Sequence, residues 1–199
     1  MDCCNQRSYE TPEGKITSLI RRDRLRVEAL NLVAQLDLPQ CYIAAGFVRN
    51  LVWDALHKFK HSTPLHDVDV IYFDPAESDP NAYQKYEAQL TKCMPRLNWQ
   101  VRNQAKMHQY NGDPAYHSTL DAMHHWPEKE TAVAARQISP NTYELIAAFG
   151  FDSLFSLCIT HNPKRSRAIF DSRVHSKQWL TKWPALKLAK SHEHDCISL

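Results

Sequence analysis

Asp67-Val68-Asp69-Val70-Ile71-Tyr72-Phe73 alternates two carboxylates with apolar residues. Ala44-Ala45-Gly46-Phe47-Val48-Arg49-Asn50 precedes it by about twenty residues. A β-branched run of this kind reads as a strand, and a strand sends alternate side chains to opposite faces. Asp67 and Asp69 therefore point the same way, roughly 7 Å apart along the backbone. At an effective dielectric near 20, two such charges repel by about 2 kcal/mol. A strand end open to water tolerates that cost, and a divalent cation between the carboxylates reverses it. Upstream, Gly46 marks a strand-to-helix turn, where free backbone N–H groups and the helix dipole favour a phosphate. Carboxylates that hold metal beside a turn that holds phosphate point to phosphoryl or nucleotidyl transfer.

The rest of the composition narrows the class. The chain has 199 residues, enough for one domain with a real core. Its hydrophobic content of 43% and charged content of 23% are ordinary for a globular protein. A net charge of +2 does not mark a nucleic-acid binder by composition. The basic residues are unevenly placed, however. Arg21, Arg22, Arg24 and Arg26 cluster early, and Lys164, Arg165, Arg167, Arg173 and Lys177 cluster late. No apolar run reaches the ~18 residues of a membrane span, and Met1-Asp2-Cys3-Cys4-Asn5 does not resemble a signal peptide. The expectation is a cytoplasmic protein with no membrane partner. The 6 cysteines match no zinc spacing, and Cys41 and Cys158 lie in apolar runs suited to the core. Among the 11 histidines, His124-His125 and His192-Glu193-His194 are the densest groups, without a recognised ligand spacing.

Along the chain, 1–15 reads as a flexible arm and 186–199 as a flexible tail, with a single domain at 16–185. Thr17 is the expected cap of a helix reaching about Gln35. Residues 41–45 read as a buried strand, 47–59 as a helix with Val48, Leu51, Val52, Ala55 and Leu56 at helical spacing, and 67–73 as the aspartate strand. Pro80 suits the first turn of a helix through Cys93. A third strand follows at 99–104, then a helix capped by Ser118, two strands at 131–137 and 141–147, and an apolar helix at 154–159. The order predicts an α+β domain with helices packed on a mixed sheet.

Strand, glycine turn, arginine-bearing helix and Asp-x-Asp strand resemble the DNA polymerase beta-like nucleotidyltransferase superfamily. Ala45-Gly46-Phe47-Val48-Arg49-Asn50-Leu51 is similar to the Gly-Gly-x-Val-Arg-Asp pattern of tRNA nucleotidyltransferases and poly(A) polymerases. A closer resemblance, from about Ile16 onward, is to a bacterial family of nucleotidyltransferase-like proteins of this length. Asn103-Gln104-Ala105-Lys106-Met107-His108, Trp126-Pro127-Glu128, Glu130-Thr131-Ala132, and Arg173 with Lys177, Trp179 and Trp183-Pro184 carry it. The resemblance implies a polymerase beta-like fold with a C-terminal α/β extension. It also implies two-metal transfer of a nucleoside monophosphate from an NTP. Asp67 and Asp69 would hold Mg²⁺ (or Mn²⁺), and Gly46, Phe47, Arg49 and Lys106 would bind the nucleotide. Arg49 would contact a phosphate or fix Asp69 with two hydrogen bonds.

Two departures stand out. One glycine replaces the usual Gly-Gly or Gly-Ser, with Ala45 in the preceding place. The third carboxylate expected on the next strand is missing, since that strand offers Asn103. Glu144 is the nominated substitute, its neighbours Tyr143 and Leu145 facing the core, and Glu130 is the other acid available. The acceptor is open: a small molecule, a protein or an RNA end. The competing reading is a catalytically silent nucleotide-binding or regulatory protein that keeps the fold.

Overall fold

A computed structural model of the protein describes residues 11–189. The elements run α1 (Pro12–Arg22), α2 (Arg24–Ala34), β1 (Tyr42–Ala44), α3 (Gly46–Leu56), β2 (Asp67–Tyr72), α4 (Ala82–Cys93), β3 (Asn98–Asn103), α5 (Gln104–Asn111), α6 (Thr119–Met123), β4 (Val133–Ser139), β5 (Thr142–Ala147), α7 (Asp152–Phe155), β6 (Cys158–Ile159), α8 (Arg167–Lys177), α9 (Trp179–Lys182) and β7 (Lys187–Leu188). Five strands form one sheet in the order β3-β2-β1-β4-β5, and β6 pairs with β7 in a second. In the large sheet β2 and β3 are parallel while β1, β4 and β5 pair antiparallel, so the sheet is mixed as expected.

The aspartate strand shows why the sheet has two unlike faces. Val68, Val70 and Tyr72 enter the main core with Ile43 and Val101, under Ile16, Ile20, Leu30, Leu51, Val52 and Leu90 of the first four helices. Ile71, from the other face, joins a smaller cluster with Tyr42, Ala44, Ala134 and Met123, flanked by Trp126 and Ile146. That cover leaves β2 and β3 open where Asp69, Gln100 and Arg102 emerge, and a cleft results.

Several boundaries differ from the sequence expectation, each for a local reason. The first helix is two. Asp23 closes α1 and caps α2, its carboxylate accepting the Arg26 backbone N–H at 3.1 Å and pairing with the Arg26 guanidinium. Thr11, not Thr17, caps α1, with Pro12 at its first position. Residues 12–15 are thus helical rather than part of an arm, and Lys187–Leu188 belongs to a strand rather than a tail. Residues 1–10 and 190–199, with His192 and His194, lie outside the described residues. The helix expected at 154–159 ends at Phe155; Leu157 adopts φ 55° and the chain continues as β6. Cys41 and Cys158 are buried, as expected. Among the described residues no helix is long and apolar enough to cross a membrane.

Candidate active site

β1 pairs Ile43 with Val70, so the turn that follows β1 lies beside Asp69. Ala45 and Asp69 line the same cleft, of about 680 Å³, within the usual range for ligand sites. Ala45 carries φ 55° and ψ −120°, a conformation normally reserved for glycine. It has no side-chain cap to offer, so the first N–H groups of α3, from Gly46 onward, have no capping side chain. Gly46 opens the helix. A Cβ built there would lie 3.4 Å from Asn50 Nδ2, ordinary contact, so packing does not require this glycine.

Asp67 accepts a hydrogen bond from Asn98 Nδ2 at 2.6 Å, and Asp69 lies opposite Gln100 on β3. Burial raises the Asp69 pKa, and the Asp67 charge raises it further. Arg49, Lys177 and Arg173 oppose that shift. The two carboxylates form a hard-oxygen pair whose repulsion a cation would relieve. Magnesium is commonly held by one or two carboxylates with the remainder supplied by substrate phosphate and water. The pair fits that pattern, although no set of three His, Cys, Asp or Glu residues converges among the described residues.

Arg49 is buried, with 6% exposure. Its Nη1 donates to Thr131 Oγ1 at 2.8 Å and its Nη2 to Asn50 Oδ1 at 3.0 Å. The guanidinium lies 5.0 Å from the Trp53 ring centroid and 4.6 Å from that of Trp179. Burial lowers its pKa to about 10, and it remains charged at neutral pH. The expected two-hydrogen-bond grip on Asp69 does not form: Nη1 and Nη2 donate to Thr131 and Asn50, and Nε has no hydrogen-bond partner among the described residues. Arg49 acts on Asp69 through its field.

Other candidates move. Phe47 is in the main core under the Arg26 guanidinium, so only its backbone is available to a ligand. Lys106 points out of the cleft, Nζ donating to the Pro75 carbonyl at 3.3 Å, while its α5 neighbours Gln104 and Met107 line the cleft. Glu144, on the far edge strand β5, does share a sheet face with Ile71, accepting from the Tyr42 hydroxyl at 3.2 Å, but it is ion-paired to Arg136 of the neighbouring β4. Two strands separate β5 from β2, or about 14 Å at the usual spacing. Metal ions that share ligands sit about 4 Å apart, so Glu144 cannot complete the Asp67–Asp69 set. Glu130 is buried and accepts the Thr160 backbone N–H at 2.8 Å, so it is not presented to the cleft either.

What sequence reasoning missed is the set of cations and polar groups that line the same cleft as Asp69: Gln100, Arg102, Thr131 and, from the late segment, Lys164 and Arg165. Gln100 and Arg102 were findable, since they alternate on β3 as Asp67 and Asp69 do on β2. Arg173, named with Lys177 among the residues that carry the resemblance, is held by Glu128, Nε to Oε1 at 2.6 Å, and both cations act on Asp69.

The fold has close counterparts. A solved structure described as revealing a CCA-adding enzyme head domain is 27% identical, with a TM-score of 0.77 over 92% of this chain and 98% of that one. A CCA-adding enzyme in complex with CTP is similar at 13% identity and a TM-score of 0.58, covering 88% of this chain but 43% of that one. A tRNA-processing enzyme gives 17% identity and 0.51, covering 82% of this chain and 45% of its own length. The chain thus spans less than half of these two larger enzymes, and at such identities the likeness shows the fold alone. No curated protein matches the sequence. Residues 31–188, from α2 to β7, match a family described as nucleotidyltransferase. With that match spanning most of the chain and the mixed sheet arranged as in the head domain, the protein belongs to this nucleotidyltransferase family.

Proposed function

We propose that the protein transfers a nucleoside monophosphate from an NTP to an acceptor, with Asp67 and Asp69 holding Mg²⁺ or Mn²⁺. The observation that carries this is that Asp69 and Ala45, at the turn into α3, line one cleft. The first N–H groups of α3 receive the triphosphate, aided by the helix dipole. Arg173 and Lys177 face the same region from α8 and offset phosphate charge. Bound between the aspartates, a divalent cation would neutralise charge on the reacting phosphate oxygens. The acceptor hydroxyl oxygen bonds to the α-phosphorus and its proton passes to solvent water, while the bond from the α-phosphorus to the bridging oxygen breaks and pyrophosphate departs with the electron pair. Since neither Glu144 nor Glu130 reaches the site, rate enhancement rests on positioning and electrostatics, which dominate phosphoryl transfer.

One observation favours the second reading, a nucleotide-binding protein without turnover: the absent third carboxylate. The two readings separate in a single experiment. Thermal shift with each NTP, with and without Mg²⁺, measures binding, and α-labelled NTP with cell extract measures transfer. Metal-dependent stabilisation with a labelled product supports the transferase. Stabilisation without product supports the silent form. Asp69→Asn is expected to abolish the Mg²⁺-dependent shift, and a shift that survives it would overturn both.

A further inference from the structure

The cleft that contains Asp69 holds a second constellation. Asp113 follows α5, just beyond the Gly112 turn at φ 69°. Its carboxylate accepts from both arms of the Arg165 guanidinium, Nη1 at 2.8 Å, and from the Tyr116 hydroxyl. It also faces Nδ1 of His125 at 3.4 Å, and the Tyr116 and His125 rings lie 4.9 Å apart. Nδ1 faces Asp113, so Nε2 is the edge of the imidazole turned from that carboxylate, and Lys164 Nζ stands 3.4 Å from it. His125, Lys164 and Arg165 all line the cleft that contains Asp69.

Charge pairing singles out Lys164. The other cations of the cleft wall have partners: Arg102 has Glu87, Arg165 has Asp113 and Arg173 has Glu128. Among the described residues Lys164 has no carboxylate within ion-pair distance. It donates instead to an imidazole nitrogen, which requires His125 to be neutral. The charged groups facing His125 are Asp113, Asp121, Lys164 and Arg165, with Tyr116 against its ring. Burial, then Lys164, holds the His125 pKa below its ordinary value, with Arg165 acting in the same sense and Asp113 and Asp121 opposing.

We propose that the acceptor carries a phosphate group, bound between Lys164 Nζ and His125 Nε2. This rests on the reading of the cleft as a nucleotidyl-transfer site. Phosphate suits the pair on two counts. Lysine meets phosphate as a point charge. A phosphate monoester also titrates near pH 6, so it draws a proton onto Nε2, and Asp113 stabilises the resulting imidazolium through Nδ1–H. Trp126, Met107 and the 81%-exposed Tyr110 line the same cleft and offer it apolar surface, on which a ring attached to that phosphate would pack.

The test is NMR titration of the His125 ring in isotope-labelled protein, assigned with His125→Gln, using inorganic phosphate as first probe. Phosphate is expected to raise the His125 midpoint and to bind more tightly as pH falls through it. Lys164→Met, which keeps the stem and removes the charge, is expected to weaken phosphate at least tenfold. Adenosine monophosphate and a 5′-phosphorylated trinucleotide then distinguish a small phosphorylated acceptor from a nucleic-acid end by which gains affinity over phosphate. No midpoint change, or equal affinity in Lys164→Met, overturns the proposal. So does displacement of phosphate by a saturating Mg²⁺–nucleotide analogue, which would make the pair part of the triphosphate site. Failure of the underlying nucleotide reading appears separately, as absence of Mg²⁺-dependent analogue binding in the unaltered protein.

Discussion

Ala45 occupies a backbone conformation that costs an L-residue of order 1–3 kcal/mol. The Gly-Gly-x-Val-Arg-Asp pattern that this segment resembles has glycine there, and in this chain the fold holds alanine in the glycine shape, its N–H donating to the Val133 carbonyl at 2.9 Å and its carbonyl accepting from Arg49 N at 2.9 Å. Ala45→Gly removes that strain and adds unfolded-state entropy of about 0.4–1 kcal/mol. The expected net is stabilisation of about 1 kcal/mol, read as a higher denaturant midpoint with unchanged slope; a lower midpoint would mean that the turn is unstrained. Asp69 shows a second residue-level cost. Its pKa is raised by burial and by Asp67, so its favourable contribution is complete at acid pH and is lost as pH rises through the raised value. Metal-free Asp69→Asn is therefore expected to melt at or above the temperature of the unaltered protein at neutral pH, the difference closing on acidification. A destabilised Asp69→Asn would make the carboxylate structural. Both aspartates were legible because a strand's alternation is written in composition. The fate of Arg49 was not, because its partners Thr131 and Trp179 lie 82 and 130 residues away along the chain.

The elements that hold the site come from both ends of the chain. Arg49 of α3 is sandwiched between Trp53 of its own helix and Trp179 of α9. Trp183, beyond α9, donates Nε1 to Asp54 Oδ1 at 2.8 Å, and the same carboxylate takes the Thr63 N–H at 2.7 Å in the loop leading to β2. The late tryptophans thus fasten the carboxyl-terminal segment to α3 and steady the approach to Asp67. Trp179→Leu is expected to cost about 2–4 kcal/mol as a large-to-small core change. It should also weaken Mg²⁺–NTP binding by freeing the Arg49 guanidinium, while Trp179→Phe, which keeps a stacking face, recovers most of the affinity. Chemical denaturation and calorimetry read the two effects apart, and full affinity in Trp179→Leu would confine Trp179 to packing. Apolar spacing found α3, Pro80 and the Ser118 cap found α4 and α6, and the apolar runs found β1–β5. The same spacing merged α1 with α2 because Asp23 caps through geometry that a hydrophobic stripe does not register. It also left α8, α9 and β7 unread, since α8 exposes most of its length and buries only Phe170 and Val174.

At the scale of the molecule, charge is concentrated rather than abundant. A net charge of +2 coexists with Arg102, Lys164, Arg165 and Arg173 on one cleft wall, and with Arg49 and Lys177 acting on Asp69. The sheet order explains this convergence. The antiparallel half carries the chain past β5 into the late basic segment, and that segment returns over the open β2–β3 face, so cations far apart in sequence meet the Asp-x-Asp strand. Composition could not reveal it, because composition does not record where the chain turns back. A cleft lined with one sign of charge attracts an oppositely charged ligand from a distance, and salt screens the attraction. The Debye length falls from about 30 Å at 0.01 M to about 8 Å at 0.15 M, so exposed Lys177 and Lys164 lose influence while buried Arg49 keeps most of its own. Mg²⁺–NTP, a net anion, is therefore expected to bind roughly tenfold more weakly at about 0.5 M than at about 0.05 M salt, mainly through slower association. Lys177→Met should flatten that dependence and lower affinity most at low salt. Stopped-flow association across a salt series measures both, and a rate indifferent to salt would mean that the wall of cations serves the fold's own carboxylates, Glu87, Asp113 and Glu128, rather than an incoming nucleotide.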